Sequence, residues 1–446
     1  MKEKQFSRVG FILAAAGSAV GLGNIWRFPY ITGEYGGGAF VLVYLATLAL
    51  VGIPILMAEI LLGRMAQKEP VSAYEALAPQ GRKKWRFAGL TLLGAFVILT
   101  FYTVVIGWVI AYFFVAVGGL PAGPEEAKTL FINLVTQDAA TQIFFHAIAV
   151  LLTGWIVFKG IKKGIERVNT VLMPALFLML LFLFFYATSL EAFGRAVSFM
   201  FAPDFSKLTA DAILVAVGQA FFSLSVGMTV ILTYASFANA HTKAFPSAIT
   251  IAGLDTLVAL VAGLAMFAFL FEQNMPSAQS VGLAFISMPA VFYEFGGIGQ
   301  LLALVFFVSL AFAGLTSAIS ILEPAVAHLT QRRGWSRAKA TWLPLLIAYL
   351  LGLLTLLSNL AGFEWLSFGG KNLFDWADFM TAAIILPIGG LLLAIFMGYV
   401  VDRGRITAQL RHEGLSLRAI AAWFWLIRYL APVAVVGVIA AKVMGL

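Results

Sequence analysis

Gly17-Ser18-Ala19-Val20-Gly21-Leu22-Gly23-Asn24-Ile25-Trp26-Arg27-Phe28-Pro29 decides how this 446-residue chain is read. The stretch sits in an apolar run long enough to cross a bilayer, yet it holds three glycines, an amide and a cation. Each glycine weakens a helix by roughly 1 kcal/mol and lets backbone approach a ligand closely. Gly17 and Gly21 also fit a small-xxx-small packing seam, the commoner meaning of that spacing. Asn24 and Arg27 beside them point instead to a broken, ligand-facing helix. Polar groups and helix breaks at membrane depth cost free energy, and they persist around a cavity or a packed interface.

The surrounding composition agrees with a membrane setting. Hydrophobic residues make up 61% and charged residues 11% of the chain, and the mean hydropathy is +0.96. A soluble domain carries about 25% charged residues. Apolar runs recur from Phe11 to the last residue, which predicts a polytopic, all-α membrane protein with roughly 20 residues per span. The runs do not alternate every second residue, which excludes an outer-membrane barrel. Eleven spans are expected, at about 9–32, 38–63, 87–117, 140–158, 166–188, 211–238, 244–271, 300–328, 341–359, 376–400 and 419–444; they are numbered 1 to 11 below. Segment 280–297 reads as a re-entrant or surface helical loop, and 119–139, with Pro121, Pro124, Glu125 and Glu126, as the clearest connection. The whole chain, 1–446, reads as one membrane domain, divided at about 9–188, 211–400 and an extra helix at about 419–444. Lys2, Lys4 and Arg8 ahead of an apolar stretch imitate a signal peptide, but Asn24, Arg27 and Pro29 follow where a small-residue cleavage site belongs.

The net charge of +8 records topology. Three basic residues lie at the N-terminus, six in 64–86, four in 159–167, one near 243, four in 332–339 and four in 403–418, so 22 of the 29 fall on one face. The other face holds Lys128, Arg195, Lys207, Lys371 and Lys442, and Arg27 and Arg428 lie within spans. The bias predicts a cell (inner) membrane protein with its N-terminus in the cytoplasm, and the odd span count puts the C-terminus outside. It gives no reason to expect a nucleic-acid partner. Cysteine is absent, so disulfide, thiolate-metal and redox chemistry are excluded. The four histidines, His146, His241, His328 and His412, are read at span ends or in loops, without metal-ligand spacing.

Further polar groups sit inside apolar spans. Span 6 contains Gln219-Ala220-Phe221-Phe222-Ser223-Leu224-Ser225-Val226-Gly227-Met228-Thr229. Spans 1 and 6 head two five-span halves, and paired interruptions in corresponding positions mark the binding site of an inverted-repeat transporter. Span 8 carries Thr316 and Ser317, whose hydroxyls suit a hard cation, although such groups usually back-bond to their own helix. Glu59, Asp255 and Glu323 are acids within spans and so functional candidates by default; for Glu59 a structural, hydrogen-bonding role is expected.

The pattern Gly21-Leu22-Gly23-Asn24-Ile25-Trp26-Arg27-Phe28-Pro29-Tyr30, followed by Gly36-Gly37-Gly38-Ala39-Phe40, resembles the neurotransmitter:sodium symporter signature. Gly52-Ile53-Pro54, Glu59 with Gly63-Arg64, Gly164-Ile165-Glu166-Arg167, Gln219 to Ser225, Gly282 to Ile286 and Ala313 to Ser317 extend the likeness from Arg8 to about Gly390. It is nearest to the bacterial eleven-span branch of leucine and multi-hydrophobic amino-acid carriers. The resemblance implies the leucine-transporter fold, a 5+5 inverted repeat with helices 1 and 6 unwound in mid-membrane. It implies two co-transported sodium ions. One would take the Ala19 carbonyl, Asn24, Ser223, Asp255 and the substrate carboxylate. The other would take the carbonyls of Gly17, Val20 and Ala313 and the hydroxyls of Thr316 and Ser317. Substrate would rest on Ser18, Ala19 and the amides of Gly21, Leu22 and Gly23, with Tyr102 binding the carboxylate and sealing the pocket. Ile98 lies one helical turn from Tyr102 on a common face. Monoamine carriers of the family place an aspartate at the position of Gly21, so glycine here implies a substrate that brings its own carboxylate. The side-chain pocket would be Ile98, Phe222, Ser225, Met228, Ser317 and Ile321, where Met228 repacks readily. The expected cargo is therefore a hydrophobic L-amino acid: leucine, isoleucine, methionine, phenylalanine, tyrosine or tryptophan.

Asp255 departs from the family, standing where other members have a sodium-ligating asparagine, and Ala259 stands where chloride-dependent members have a serine. A fixed carboxylate replaces the anion, so chloride independence is expected, with Asp255 accepting a proton as sodium leaves and so giving proton antiport. Arg27 and Asp378 fit the outer charge pair, with Asp375 as the alternative, and Tyr102 and Phe222 complete the outer gate. At the inner gate Lys2 stands for the usual arginine, Gln5 for the aromatic anchor and Gln331 for the acid, with Glu323 as a substitute partner. Gly164 and Pro174 match a motif that would unwind the start of span 5 and admit water; a simple helix kink competes with that reading. A channel, a membrane-embedded enzyme and a proton-coupled carrier of the same fold are the rivals. Two broken helices disfavour the first, the lack of a nucleophile–base pair or metal cluster the second, and Asn24 with Thr316 and Ser317 the third. Nothing in the sequence points to an oligomeric state.

Overall fold

The computed structural model describes residues 5–239, 241–275 and 281–444, and among these every named element is helical. Among the described residues nine helices are long and apolar enough to span a membrane: Gly38–Ala66, Lys83–Gly118, Ala139–Phe158, Ile161–Thr188, Ala244–Glu272, Gly297–Gln331, Arg337–Leu357, Leu373–Val400 and Leu417–Ala440. They are spans 2 to 5 and 7 to 11. Span 1 is a broken pair, Arg8–Ala19 and Gly23–Glu34, bent by 50°. Span 6 is broken more deeply, into Ala210–Ser223 and Val230–Ser236. With the span 1 pair taken as one, ten segments are long and apolar enough to cross a membrane, and the eleventh expected span is the shorter pair at span 6.

The two breaks have different local causes. In span 1 the Val20 amide still bonds Ala16 O at 2.7 Å, after which Gly21 and Leu22 leave the helical ladder. The freed amides are met from the side: Gly21 N–H donates to Asn24 Oδ1 at 3.1 Å and Leu22 N–H to Tyr102 Oη at 3.3 Å. In span 6 the chain turns left-handed at Ser225 (φ 54°), Gly227 (φ 88°) and Thr229 (φ 61°), a conformation costly for two non-glycine residues. Glu59 of span 2 offsets that cost. Its carboxylate accepts from Gly227 N at 2.8 Å and Leu232 N at 3.2 Å, so the new helix start at Val230 is capped from a neighbouring span.

Arg8–Ala19 packs against span 8 and Val230–Ser236, and span 8 also packs along span 3. The broken segments therefore face spans 3 and 8 across the middle of the molecule.

Several boundaries differ from the sequence reading. The connection 119–139 contains a helix, Pro124–Thr136. Proline in the first turn, Glu125 and Glu126 at the positive end and a buried Ala127–Phe131–Leu134 stripe are enough to wind it. Span 5 begins at Ile161, inside a segment read as a basic loop, because a wide turn over Ile161–Glu166 runs straight into Arg167–Thr188. His146 is neither at a span end nor in a loop. It is fully buried in span 4, with Nε2 3.0 Å from Thr103 Oγ1 of span 3. Segment Leu283–Glu294 is a short apolar helix, in keeping with a re-entrant or surface element.

Candidate substrate and sodium site

Between the broken segments lies a cavity of about 20 Å³, lined by Ser18, Ala19, Gly21, Gly23, Asn24, Ile98, Tyr102, Phe222, Ser223, Ser225, Met228, Ser317 and Ile321. Every residue expected to touch substrate lies on it except Leu22, whose side chain is buried elsewhere while its amide bonds Tyr102. The unwound backbone is pulled in by hydroxyls. Ser225 Oγ donates to Ser18 O at 2.9 Å, and Ser317 Oγ lies 3.3 Å from Ser18 O and 3.4 Å from Gly17 O. Gly21 leaves no room for a side chain, since a Cβ there would sit 2.7 Å from Ser317 Oγ and 3.1 Å from Tyr102 Oη. One end of the cavity is thus lined with amides and hydroxyls, and the other with Ile98, Phe222, Met228 and Ile321.

Two clusters of oxygen donors flank the cavity. In the first, Asp255 Oδ1 accepts from Asn24 Nδ2 at 2.7 Å, and Asp255 Oδ2 accepts from Ser223 Oγ at 2.7 Å. Asn24, Ser223 and Asp255 are all buried, so spans 1, 6 and 7 meet there. Two residues not singled out from sequence complete it. Tyr44 Oη donates to Ser223 Oγ at 3.3 Å, and Gln219 Nε2 to Gly23 O at 3.3 Å. Gln219 stood inside a quoted motif; Tyr44, in the apolar run of span 2, had no distinguishing signal. In the second cluster Thr316 Oγ1 lies 3.1 Å from Ala313 O, and Ser317 Oγ reaches the Gly17 carbonyl. Carbonyls and hydroxyls without nitrogen or sulfur donors suit a hard cation.

Above the small cavity opens a larger one of about 320 Å³, whose walls include Trp26, Arg27, Tyr30, Phe101, Phe374 and Asp378. Gly23, Tyr102 and Phe222 border both. The outer charge pair is not closed. Arg27 and Asp378 share the larger cavity, but among the described residues Arg27 makes no ion pair. Its guanidinium lies 4.5 Å over the Phe222 ring, so the cation is held against an aromatic face. Asp375, the alternative partner, lines an adjoining cavity together with Arg27, Lys371 and Asp378.

The opposite end corrects the inner-gate reading. Lys2 lies outside the described residues. Gln5 is exposed, and the buried aromatic is its neighbour Phe6, packed 5.4 Å from the Tyr234 ring and 6.4 Å from Phe11. Glu323 is engaged by Arg337, at 2.7 Å from Nη2. Gln331 Oε1 accepts the Glu69 amide at 2.9 Å. Glu69 in turn caps the helix Pro70–Leu77 and meets His328 Nδ1 at 2.8 Å. Burial works to raise the Glu69 pKa, and hydrogen bonds from His328 and Ser72 outweigh it, holding the carboxyl below its usual range. Gly164 sits in the wound turn Ile161–Glu166, where a Cβ would collide with the Ile156 carbonyl, and Pro174 lies inside the following helix.

Two interrupted spans closing on oxygen-lined sites at membrane depth define a secondary transporter that couples a small solute to ions. The chain belongs to the sodium:neurotransmitter symporter family, whose model matches residues 2–123 and 133–446. It is 36% identical over 437 residues to the sodium-dependent transporter YhdH of Bacillus subtilis, covering 96% of this chain and 95% of that one. A sodium-dependent transporter of Methanocaldococcus jannaschii, MJ1319, is 30% identical, over 97% of this chain and 88% of its own. Among solved structures, MhsT in complex with L-phenylalanine superposes with a TM-score of 0.90 at 38% identity, covering 99% of this chain and 100% of that one. The chain is thus a sodium-dependent, multi-pass membrane transporter and not an enzyme.

Proposed function

We propose that the chain carries hydrophobic and aromatic L-amino acids into the cell by symport with two sodium ions, using alternating access and no chloride. The observation that carries this reading is the two-ended cavity at Gly21. Amides and the Tyr102 and Ser317 hydroxyls crowd a point where no side chain fits, while Ile98, Phe222, Met228 and Ile321 line the rest. A carboxylate belongs at the first end, where the half-helix N-terminus adds partial positive charge, and an apolar side chain at the second. The likeness to MhsT with bound L-phenylalanine supports that polarity.

In this reading Ala19, Asn24, Ser223 and Asp255 hold one sodium, and Gly17, Val20, Ala313, Thr316 and Ser317 the other. Asp255 supplies the negative charge that chloride provides elsewhere. When sodium departs, a carboxylate with no exposed surface is left without a cation, and protonation relieves it, which makes proton antiport the return step. Tyr102 and Phe222 close over the substrate, and Arg27 then leaves the Phe222 face for Asp378. The basic face lies in the cytoplasm, and on that face local unwinding at Gly164 and Pro174 lets water reach the second sodium. The test is uptake of labelled phenylalanine and leucine into proteoliposomes with sodium, then choline, outside, each with chloride or gluconate. Concentrative uptake with sodium and either anion is expected. Uptake that survives in choline, or that charged amino acids compete for as well as phenylalanine does, refutes the reading.

A further inference from the structure

A groove of about 460 Å³ opens where the end of span 4 meets the start of span 5, and its rim carries Lys159, Lys163 and Arg167. Trp155, Val168 and Val171 form its apolar floor. Spacing builds this arrangement. Trp155 and Lys159 are one turn apart on span 4, and Lys163, Arg167 and Val171 follow at four-residue steps on span 5. On both walls cations therefore lie toward the water and apolar groups one turn deeper.

Cations at span ends serve orientation generally, but these three converge on one groove with an apolar floor. All three are exposed, and among the described residues none forms an ion pair. Glu166, the acid in the same turn, is buried on the opposite side, where it accepts from Ser7 Oγ at 2.6 Å. Lys159 Nζ instead rests 3.2 Å over the Trp155 ring, with the aromatic placed as at a membrane interface.

We propose that this groove binds an anionic phospholipid, its phosphate held by Lys159, Lys163 and Arg167 and its acyl chains lying along Val168 and Val171. Basic pockets between spans on the cytoplasmic side recognise such headgroups. The phosphate bridges the two spans beside Gly164, where a Cβ would lie 3.1 Å from Lys159 Cβ, so it ties the Ile161–Glu166 turn to the end of span 4. Lipid retention depends on the groove alone; an effect on uptake rests on the release route proposed above.

The experiment uses the full chain purified in detergent and titrated with phosphatidylglycerol, with phosphatidylcholine of the same acyl chains, or with inorganic phosphate. Retained lipid is read by native mass spectrometry and melting temperature in parallel. Phosphatidylglycerol is expected to be retained and to raise the melting temperature, and the other two to do neither. Lys163→Gln/Arg167→Gln should lower the apparent affinity about 30-fold, equivalent to about 1 kcal/mol per cation. Lys162→Gln, in the same turn but off the groove, should keep it. If the double variant does not fold, Lys163→Gln alone should lose about five-fold. Equal retention of both lipids, or wild-type affinity in the variants that fold, overturns the proposal.

Discussion

Replacing Asp255 by asparagine removes one charge and almost no volume, so its consequence is electrostatic. Asp255 bonds Asn24 and Ser223, each at 2.7 Å. A cation held by those two side chains would therefore lie within about 5 Å of the carboxylate, and at an effective dielectric near 20 the pair is worth about 3 kcal/mol. That corresponds to on the order of 10²-fold in sodium affinity. The loss of a charge-assisted bond to Asn24 acts in the same direction. In proteoliposomes with gluconate as the anion, Asp255→Asn should raise half-saturating sodium by ten- to a hundred-fold while the wild type is indifferent to chloride. Chloride should recover part of the variant's uptake, and more of it once Ala259→Ser adds a hydroxyl. An Asp255→Asn carrier with wild-type sodium dependence in gluconate would falsify the assignment of this carboxylate as the built-in anion.

Gly21→Ala places a methyl against Ser317 Oγ and Tyr102 Oη; substrate affinity should fall on the order of ten-fold in a scintillation-proximity assay, and an unchanged value would show that no carboxylate docks there. Glu59→Gln turns one acceptor into a donor facing the Gly227 and Leu232 amides, at a cost of about 1–3 kcal/mol. The melting temperature should drop, and a wild-type melt would mean that the span 6 break holds without its cap. Glu69 makes an acid-side prediction. Its carboxyl is held below the usual range in the folded protein, so its stabilisation is present above that range and is lost as pH falls through the depressed value. Glu69→Gln should flatten that part of a melting-temperature profile, and an identical acid limb in both proteins would contradict the pairing.

What could be read in advance follows from where the information is local. The span 1 break was legible because Gly17, Gly21, Gly23 and Asn24 are neighbours in the chain and their penalties in a helix add. The span 6 break was legible as a polar interruption, but its left-handed turns at Ser225 and Thr229 were not, since they are supported from other spans, by Glu59 at Gly227 and by the Ser18 carbonyl at Ser225. Nearly the whole small-cavity lining was foreseen, through resemblance more than through physics. The inner end was less legible because it is built from pairings between separate segments of the chain. Glu323 with Arg337, and Phe6 against Tyr234, depend on how loops return, and a one-residue offset in the N-terminal segment exchanges an exposed Gln5 for a buried Phe6. The helix Pro124–Thr136 was hidden by its own proline and acids, which mark a helix start as readily as a loop.

The shared border of the two cavities has a kinetic meaning. The 320 Å³ vestibule and the 20 Å³ pocket share Gly23, Tyr102 and Phe222 as lining residues. Where the side chains of Tyr102 and Phe222 separate two cavities, a rotamer change opens the way on a timescale far shorter than that of a moving span. At the opposite end Phe6, the Glu323–Arg337 pair and the Glu69–His328 contact join separate helices, so in the proposed cycle exit there requires several contacts to part together. In the cycle proposed above, the slow step is therefore expected at the far end from the one where substrate arrives.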